Sequence, residues 1–195
     1  MNYLFWDTER IKNTKIYMLG YILTDCDYNI LKSEILIDSS IDVSKRHSPR
    51  RKVEALRAQA NILTSFDSFA KYFLDILCDE DTIGVCFGTE DYIALNDQLK
   101  IHNCPIIEGQ FFDVEDIVKK HSLSLPSNLT NIAKYLDVQH DPHNPLSDSS
   151  VTMKAFRYIA MEKGISTEDI SKIPNKTKIL DITVNPGNAQ KNTCK

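Results

Sequence analysis

The chain predicts an α/β fold in which a mixed sheet carries helices on both faces, and three observations lead there. Residues 3–7, 16–25 and 28–38 are apolar, β-branched or aromatic runs separated by the turn-like Asn13-Thr14 and Asp25-Cys26-Asp27. Such runs read as three consecutive strands, and short links between them make them antiparallel. Residues 66–77 set Phe66, Phe69, Ala70, Phe73, Leu74 and Leu77 at i, i+3, i+4, i+7, i+8 and i+11, a one-faced helical stripe. Beyond it, short apolar runs alternate with helical periodicity, which places helices against the sheet.

Each later element has its own signal. Thr82-Ile83-Gly84-Val85-Cys86-Phe87 reads as a buried strand, and Thr89 stands where it can cap a helix whose Tyr92, Leu95 and Leu99 share a face. Pro105 to Asp113 offers a further strand, followed by helical patterns near 114–120 and 128–136. Asn144 and Pro145 open a last long helix over 145–163, since Asn is a favoured N-cap and Pro is tolerated at the first helical position. Past Gly164, Ser166-Thr167-Glu168-Asp169 looks like a capped helix start and residues 178–184 like a short strand. The expected division is a domain over 1–163 and a C-terminal extension over 164–195, its last ten or so residues disordered.

Composition bounds the function. At 195 residues and 42% hydrophobic content the chain can bury one substantial core. A formal net charge of −4 argues against indiscriminate polyanion binding, which relies on many Lys and Arg contacts to phosphates. Five cysteines, Cys26, Cys78, Cys86, Cys104 and Cys194, show no C-x-x-C spacing and read as intracellular thiols. No signal-peptide pattern is visible at the N-terminus and no segment approaches the length of a membrane span, so a cytoplasmic location without a membrane partner is expected.

The chemistry begins at Asp7-Thr8-Glu9, which follows the apolar run Tyr3-Leu4-Phe5-Trp6. Residues two apart on a strand point to the same face, and a buried same-face pair of acids requires a counter-cation. Hard divalent ions prefer carboxylate oxygens, and two of them about 3.5–4 Å apart stabilise both the attacking and the leaving oxygen of a phosphodiester cleavage. Further acids recur at Asp91, in the first turn of its helix, and at Asp148, in the opening turn of the last one. His143 sits on the loop just before that helix, where an imidazole can serve as general base near neutral pH. His140 is the nearest competitor, eight residues before Asp148 and so expected to fall short of the helix edge.

Asp7-Thr8-Glu9, then Asp91, then His143-Asn144-Pro145-Leu146-Ser147-Asp148 resembles, in that order, the DEDDh family of 3′-to-5′ exonucleases, to which ribonuclease T, oligoribonuclease and the proofreading subunit of bacterial DNA polymerase III belong. The resemblance spans roughly residues 3–160. It implies a ribonuclease H-like fold with five strands in the order 3-2-1-4-5. It further implies two Mg²⁺ or Mn²⁺ ions held by Asp7, Glu9, Asp91 and Asp148, with His143 as base. The middle motif departs from the family, which usually shows His-Asn shortly before an apolar-Asp pair, whereas this chain reads Val85-Cys86-Phe87-Gly88-Thr89-Glu90-Asp91. Some RNA-trimming members also keep only the acid there. Glu90 and Asp97 are the neighbouring alternatives to Asp91, and many relatives dimerise.

The run Lys45-Arg46-His47-Ser48-Pro49-Arg50-Arg51-Lys52 concentrates positive charge in a loop after the third strand. It reads either as solvated surface or as a backbone contact for a nucleic-acid strand, with Arg46, Arg50 and Arg51 touching phosphates and Thr8 contacting the strand within the site. Trp6, Phe87 and Phe111 read as core rather than as stacking platforms. The expected function is a metal-dependent 3′-5′ exonuclease releasing nucleoside monophosphates from the 3′ end of RNA or short single-stranded nucleic acid. The alternatives are a DNA proofreading or repair exonuclease and a catalytically silent nucleic-acid-binding relative.

Overall fold

The structure, a computed structural model, describes residues 1–11, 15–42, 50–107, 111–121 and 123–162. Its elements are β1 (Asn2–Ile11), β2 (Lys15–Thr24), β3 (Ile30–Asp38), α1 (Arg50–Arg57), β4 (Asn61–Leu63), α2 (Phe66–Leu77), β5 (Thr82–Cys86), α3 (Glu90–Ile101), β6 (Phe111–Asp113), α4 (Val114–Lys120), α5 (Leu129–Tyr135) and α6 (Pro145–Glu162). They form one six-stranded mixed sheet, ordered β4-β3-β2-β1-β5-β6, with helices on both faces. β1, β2 and β3 are successive antiparallel neighbours, while β5 runs parallel to β1 and β6 parallel to β5. This is the ribonuclease H-like arrangement. Without β4 the strand order is the expected 3-2-1-4-5.

Two elements were not anticipated. β4 is three residues long and pairs in parallel with the end of β3, too short for period-two alternation to show. Arg50, Arg51 and Lys52 begin α1 instead of continuing a loop. The apolar positions of that helix are few and its first three residues are all basic, so the charge run masks its periodicity. Arg46 lies outside the described residues, as do the side chains of Arg50 and Arg51 and the C-terminal extension with its expected helix and strand.

Alternation along β1 separates two cores. Tyr3 and Phe5 face a cluster that includes Phe112, Val114 and Ile117 and, from α6, Val151, Phe156 and Ile159. Leu4 and Trp6 face the opposite cluster, built from Phe66, Phe69 and Phe73 of α2 and Leu95 and Leu99 of α3, with Phe111. Trp6 and Phe111 are therefore core, as read from the sequence, and Phe87 is half-buried against the first cluster. The α2 stripe is buried along one face, and Ser65 caps that helix by accepting from the Ser68 amide.

Gly20 decides how closely α6 approaches the sheet. It lies opposite Asp7 in the β1–β2 register, and a Cβ placed there would fall 2.3 Å from the Pro145 carbonyl carbon and the Leu146 amide nitrogen. The α6 backbone therefore rests directly on β2, as isolated glycines within strands often permit. Ser149 secures the contact by donating from Oγ to the Gly20 carbonyl at 3.0 Å and, within α6, to the Pro145 carbonyl at 2.6 Å.

Candidate active site

The pairing of β1 with β5 ends at Phe5 and Val85, yet β1 continues to Ile11. On that side Asp7, Thr8, Glu9 and Arg10 thus extend beyond the last parallel partner. Carboxyl ends of parallel strands beside a change in strand direction are the usual location of α/β binding sites. The alternation that sends Tyr3 and Phe5 toward α6 sends Asp7 and Glu9 the same way, while Thr8 and Arg10 follow Leu4 and Trp6 toward α3.

Asp148 meets the first pair. Asn144 Oδ1 accepts the Leu146 and Ser147 amides at 3.2 and 3.4 Å, so the N-cap forms and the helix opens at Pro145. This puts Asp148 in the first turn, where the helix dipole favours an anion. One carboxylate oxygen from each of Asp7, Glu9 and Asp148 lies within 4.8 Å of the other two. His143, in the left-handed region at φ 63°, directs Nδ1 to within 3.6 Å of Glu9 Oε1 while its side chain stays 76% exposed. Its backbone amide donates to Asp148 Oδ2 at 3.1 Å.

Asp91 approaches from the start of α3. It is buried in the first turn of α3 and accepts from the Thr8 hydroxyl, and the Arg10 guanidinium lies 3.9 Å away. It stands outside the three-acid group, although its charge still acts on Asp7. Thr8, expected to touch nucleic acid, is buried with its hydroxyl committed to Asp91. Of the alternatives, Glu90 is exposed and pairs with Arg10, and Asp97 is exposed and pairs with Lys100. Thr89 occupies the α3 N-cap position without a side-chain cap bond. Asp113 holds this turn instead. Its Oδ1 accepts the Gly88 amide at 2.8 Å as well as the Glu115 amide at 2.9 Å, and Gly88 takes φ +86°, which suits glycine.

His140 overturns a sequence expectation. Chain separation placed it too far from the helix edge, yet its Nε2 lies 2.5 Å from Asp148 Oδ1. The reason is that residues 141–144 fold back on the helix start. Ser147 Oγ accepts the Asp141 amide at 2.9 Å, and the Asn144 amide donates to the Asp141 carbonyl at 3.1 Å. Gly20, Arg10 and Asp113 were also missed. Only Gly20, a glycine inside an apolar strand run, carried a readable signal.

The electrostatics follow from crowding acids in a dry place. The Asp7 carboxyl is held well above the usual carboxylate range, first by burial and then by the charges of Asp91, Asp148 and Glu9, which Arg10 offsets only in part. Burial also raises Asp148, against the hydrogen bond and charge of His140. Burial raises Asp91 too, against Thr8 and Arg10. The Cys86 thiol, at the end of β5, is pushed up by burial and then by Asp113, Asp91 and Asp7. A bound divalent cation would relieve this strain. The donor set, oxygen-only and anionic, fits a hard ion of the Mg²⁺ or Mn²⁺ type.

No family model matches the chain and no curated protein matches its sequence. Solved structures do match its fold. E. coli exonuclease I in complex with a dT13 oligonucleotide aligns with a TM-score of 0.66 at 12% identity, over 84% of this chain and 42% of that one. Cell-death related nuclease 4 aligns with a TM-score of 0.61 at 16% identity, over 82% of this chain and 64% of that one. The chain therefore spans less than two thirds of either neighbour. No helix among the described residues is long and apolar enough to cross a membrane.

Proposed function

We propose that this protein is a metal-dependent 3′-to-5′ exonuclease that hydrolyses single-stranded nucleic acid, RNA or short oligonucleotides foremost, to nucleoside monophosphates. The observation that carries this reading is the convergence of Asp7, Glu9 and Asp148 beside an exposed imidazole, on a fold shared with E. coli exonuclease I and cell-death related nuclease 4. The oligonucleotides in the exonuclease I structures, dT13 and dA16, support a single-stranded substrate.

Asp7, Glu9 and Asp148 would hold one Mg²⁺ or Mn²⁺, and Asp91, with Asp7, a second. Such ions supply charge stabilisation at the attacking and leaving oxygens. The protein's own residues orient and move protons. His143 is exposed enough to reach a terminal nucleotide and near enough to Glu9 to be steered, so it acts as the general base toward the attacking water. Asp113 fixes the turn that presents Asp91, and Gly20 seats the helix that presents Asp148. Basic residues Arg46, Arg50 and Arg51 supply phosphate contacts for the incoming strand.

The reading is tested by product analysis on 5′-labelled RNA and DNA oligonucleotides with Mg²⁺, Mn²⁺ or EDTA. Stepwise 3′ shortening that EDTA abolishes is the expected result, with relative rates distinguishing an RNA-trimming from a DNA-proofreading enzyme. Oligonucleotide binding without shortening in either metal would replace it with a nucleic-acid-binding module.

A further inference from the structure

The loop before α6 holds two histidines in contrasting states. The His143 side chain is 76% exposed and that of His140 only 6%. His140 directs Nε2 at Asp148 Oδ1 at 2.5 Å, while the His143 backbone amide donates to Oδ2 at 3.1 Å. Both oxygens of this carboxylate thus receive a donor from one short loop. The loop itself is tied to the helix through Asp141, Asn144 and Ser147, so the donors cannot drift independently of the acid. A carboxylate oxygen offers two lone pairs, and one donor on each leaves capacity toward Asp7 and Glu9.

We propose that His140 is a positioning residue that fixes the Asp148 carboxylate in the orientation that binds a cation, leaving proton transfer to His143. The proposal rests on the reading of Asp7, Glu9 and Asp148 as an ion-binding set. Burial removes the His140 ring from the substrate, so its effect must pass through Asp148. Partners that orient a ligand in this way typically change metal affinity by roughly 10- to 100-fold when removed.

The test measures Mn²⁺ binding to the full-length protein by calorimetry, with far-UV circular dichroism as a check on folding. His140→Ala removes the donor, His140→Leu removes it while keeping buried volume, and His140→Gln restores an N–H donor. Whichever of the donor-free variants folds should bind Mn²⁺ roughly 10- to 100-fold more weakly, His140→Gln should recover most of the loss, and His143→Ala should stay within about twofold of the parent. Turnover lost in the donor-free variants should return as Mn²⁺ is raised, whereas that lost in His143→Ala should not. A folded donor-free variant that binds Mn²⁺ as the parent does, or a His140→Gln no better than His140→Leu, would overturn the positioning role alone. A parent protein that binds no Mn²⁺ would instead overturn the ion-binding reading beneath it.

Discussion

At the start of α6, Asp148 is gripped by two donors from its own loop and faces Asp7 and Glu9, whereas at the start of α3, Asp91 is gripped by Thr8 and lies beside the Arg10 guanidinium. Both acids occupy first helical turns and both are buried. They differ in what balances their charge. Asp91 has a permanent cation close by, while the three-acid group has histidines at its edge and an Asp7 whose repulsions Arg10 offsets only in part. Like charges crowded in a buried place are costly, so a divalent ion on the α6 side would relieve the repulsion that converges on Asp7. An ion at the α3 side would have to displace the Arg10 contact. If two ions bind as proposed, this difference predicts that the Asp7–Glu9–Asp148 position fills first and the Asp91 position second.

The largest effects break the α6 half outright. Asp7→Ala should abolish activity together with Mn²⁺ binding, because Asp7 is the acid on which the charges of the other three converge. His143→Ala should separate the two properties, with turnover down roughly 10²- to 10⁴-fold and ion affinity almost unchanged. Steady-state rates and calorimetry on both variants decide this. Equal loss of metal binding in His143→Ala would make that residue a ligand instead of a base.

Comparing Asp148→Asn with Asp91→Asn probes the order of loading directly. Asp148→Asn should eliminate the tight phase of a Mn²⁺ titration, while Asp91→Asn should keep it and lose only the weaker phase. Tight binding lost equally in both variants would show that the two halves load as one.

Gly20→Ala addresses the seating of α6. The added methyl would overlap the helix backbone at 2.3 Å, so the helix must shift, at a stability cost of about 1–3 kcal/mol. Since Asp148 moves with the helix, Mn²⁺ affinity should fall as well, which urea unfolding and calorimetry would register together. A destabilised variant with unchanged affinity would mean that Asp148 does not depend on this contact.

The sequence was legible where a residue's role is set by its neighbours in the chain. The α2 stripe, the Asn144-Pro145 helix start and the facing of Asp7 and Glu9 all follow from local periodicity and capping. It was opaque where two distant segments meet. That Thr8 would spend its hydroxyl on Asp91, 83 positions away, depends on where β5 stops relative to β1. His140 was misjudged because linear spacing ignores a loop that folds back. β4 and α1 escaped because three residues show no period and a basic start hides one.

The smallest effect tests the charge argument through stability. Because the Asp7 carboxyl is raised above its ordinary 3.8, the folded protein binds that proton more tightly than the unfolded chain does. The resulting penalty is absent below the unfolded value, grows as pH rises through the folded value, and is complete above it. At neutral pH and without metal, Asp7→Asn should therefore be more stable than the parent and melt at a higher temperature. Near pH 3.5 the advantage should vanish. Adding Mn²⁺ at neutral pH should reverse the ranking, since only the parent gains stability by binding the ion. Thermal melts at the two pH values, with EDTA and with Mn²⁺, provide the comparison. A metal-free Asp7→Asn that melts below the parent at neutral pH would mean that the aspartate is already compensated within the fold, and that the α6 half is not the strained one.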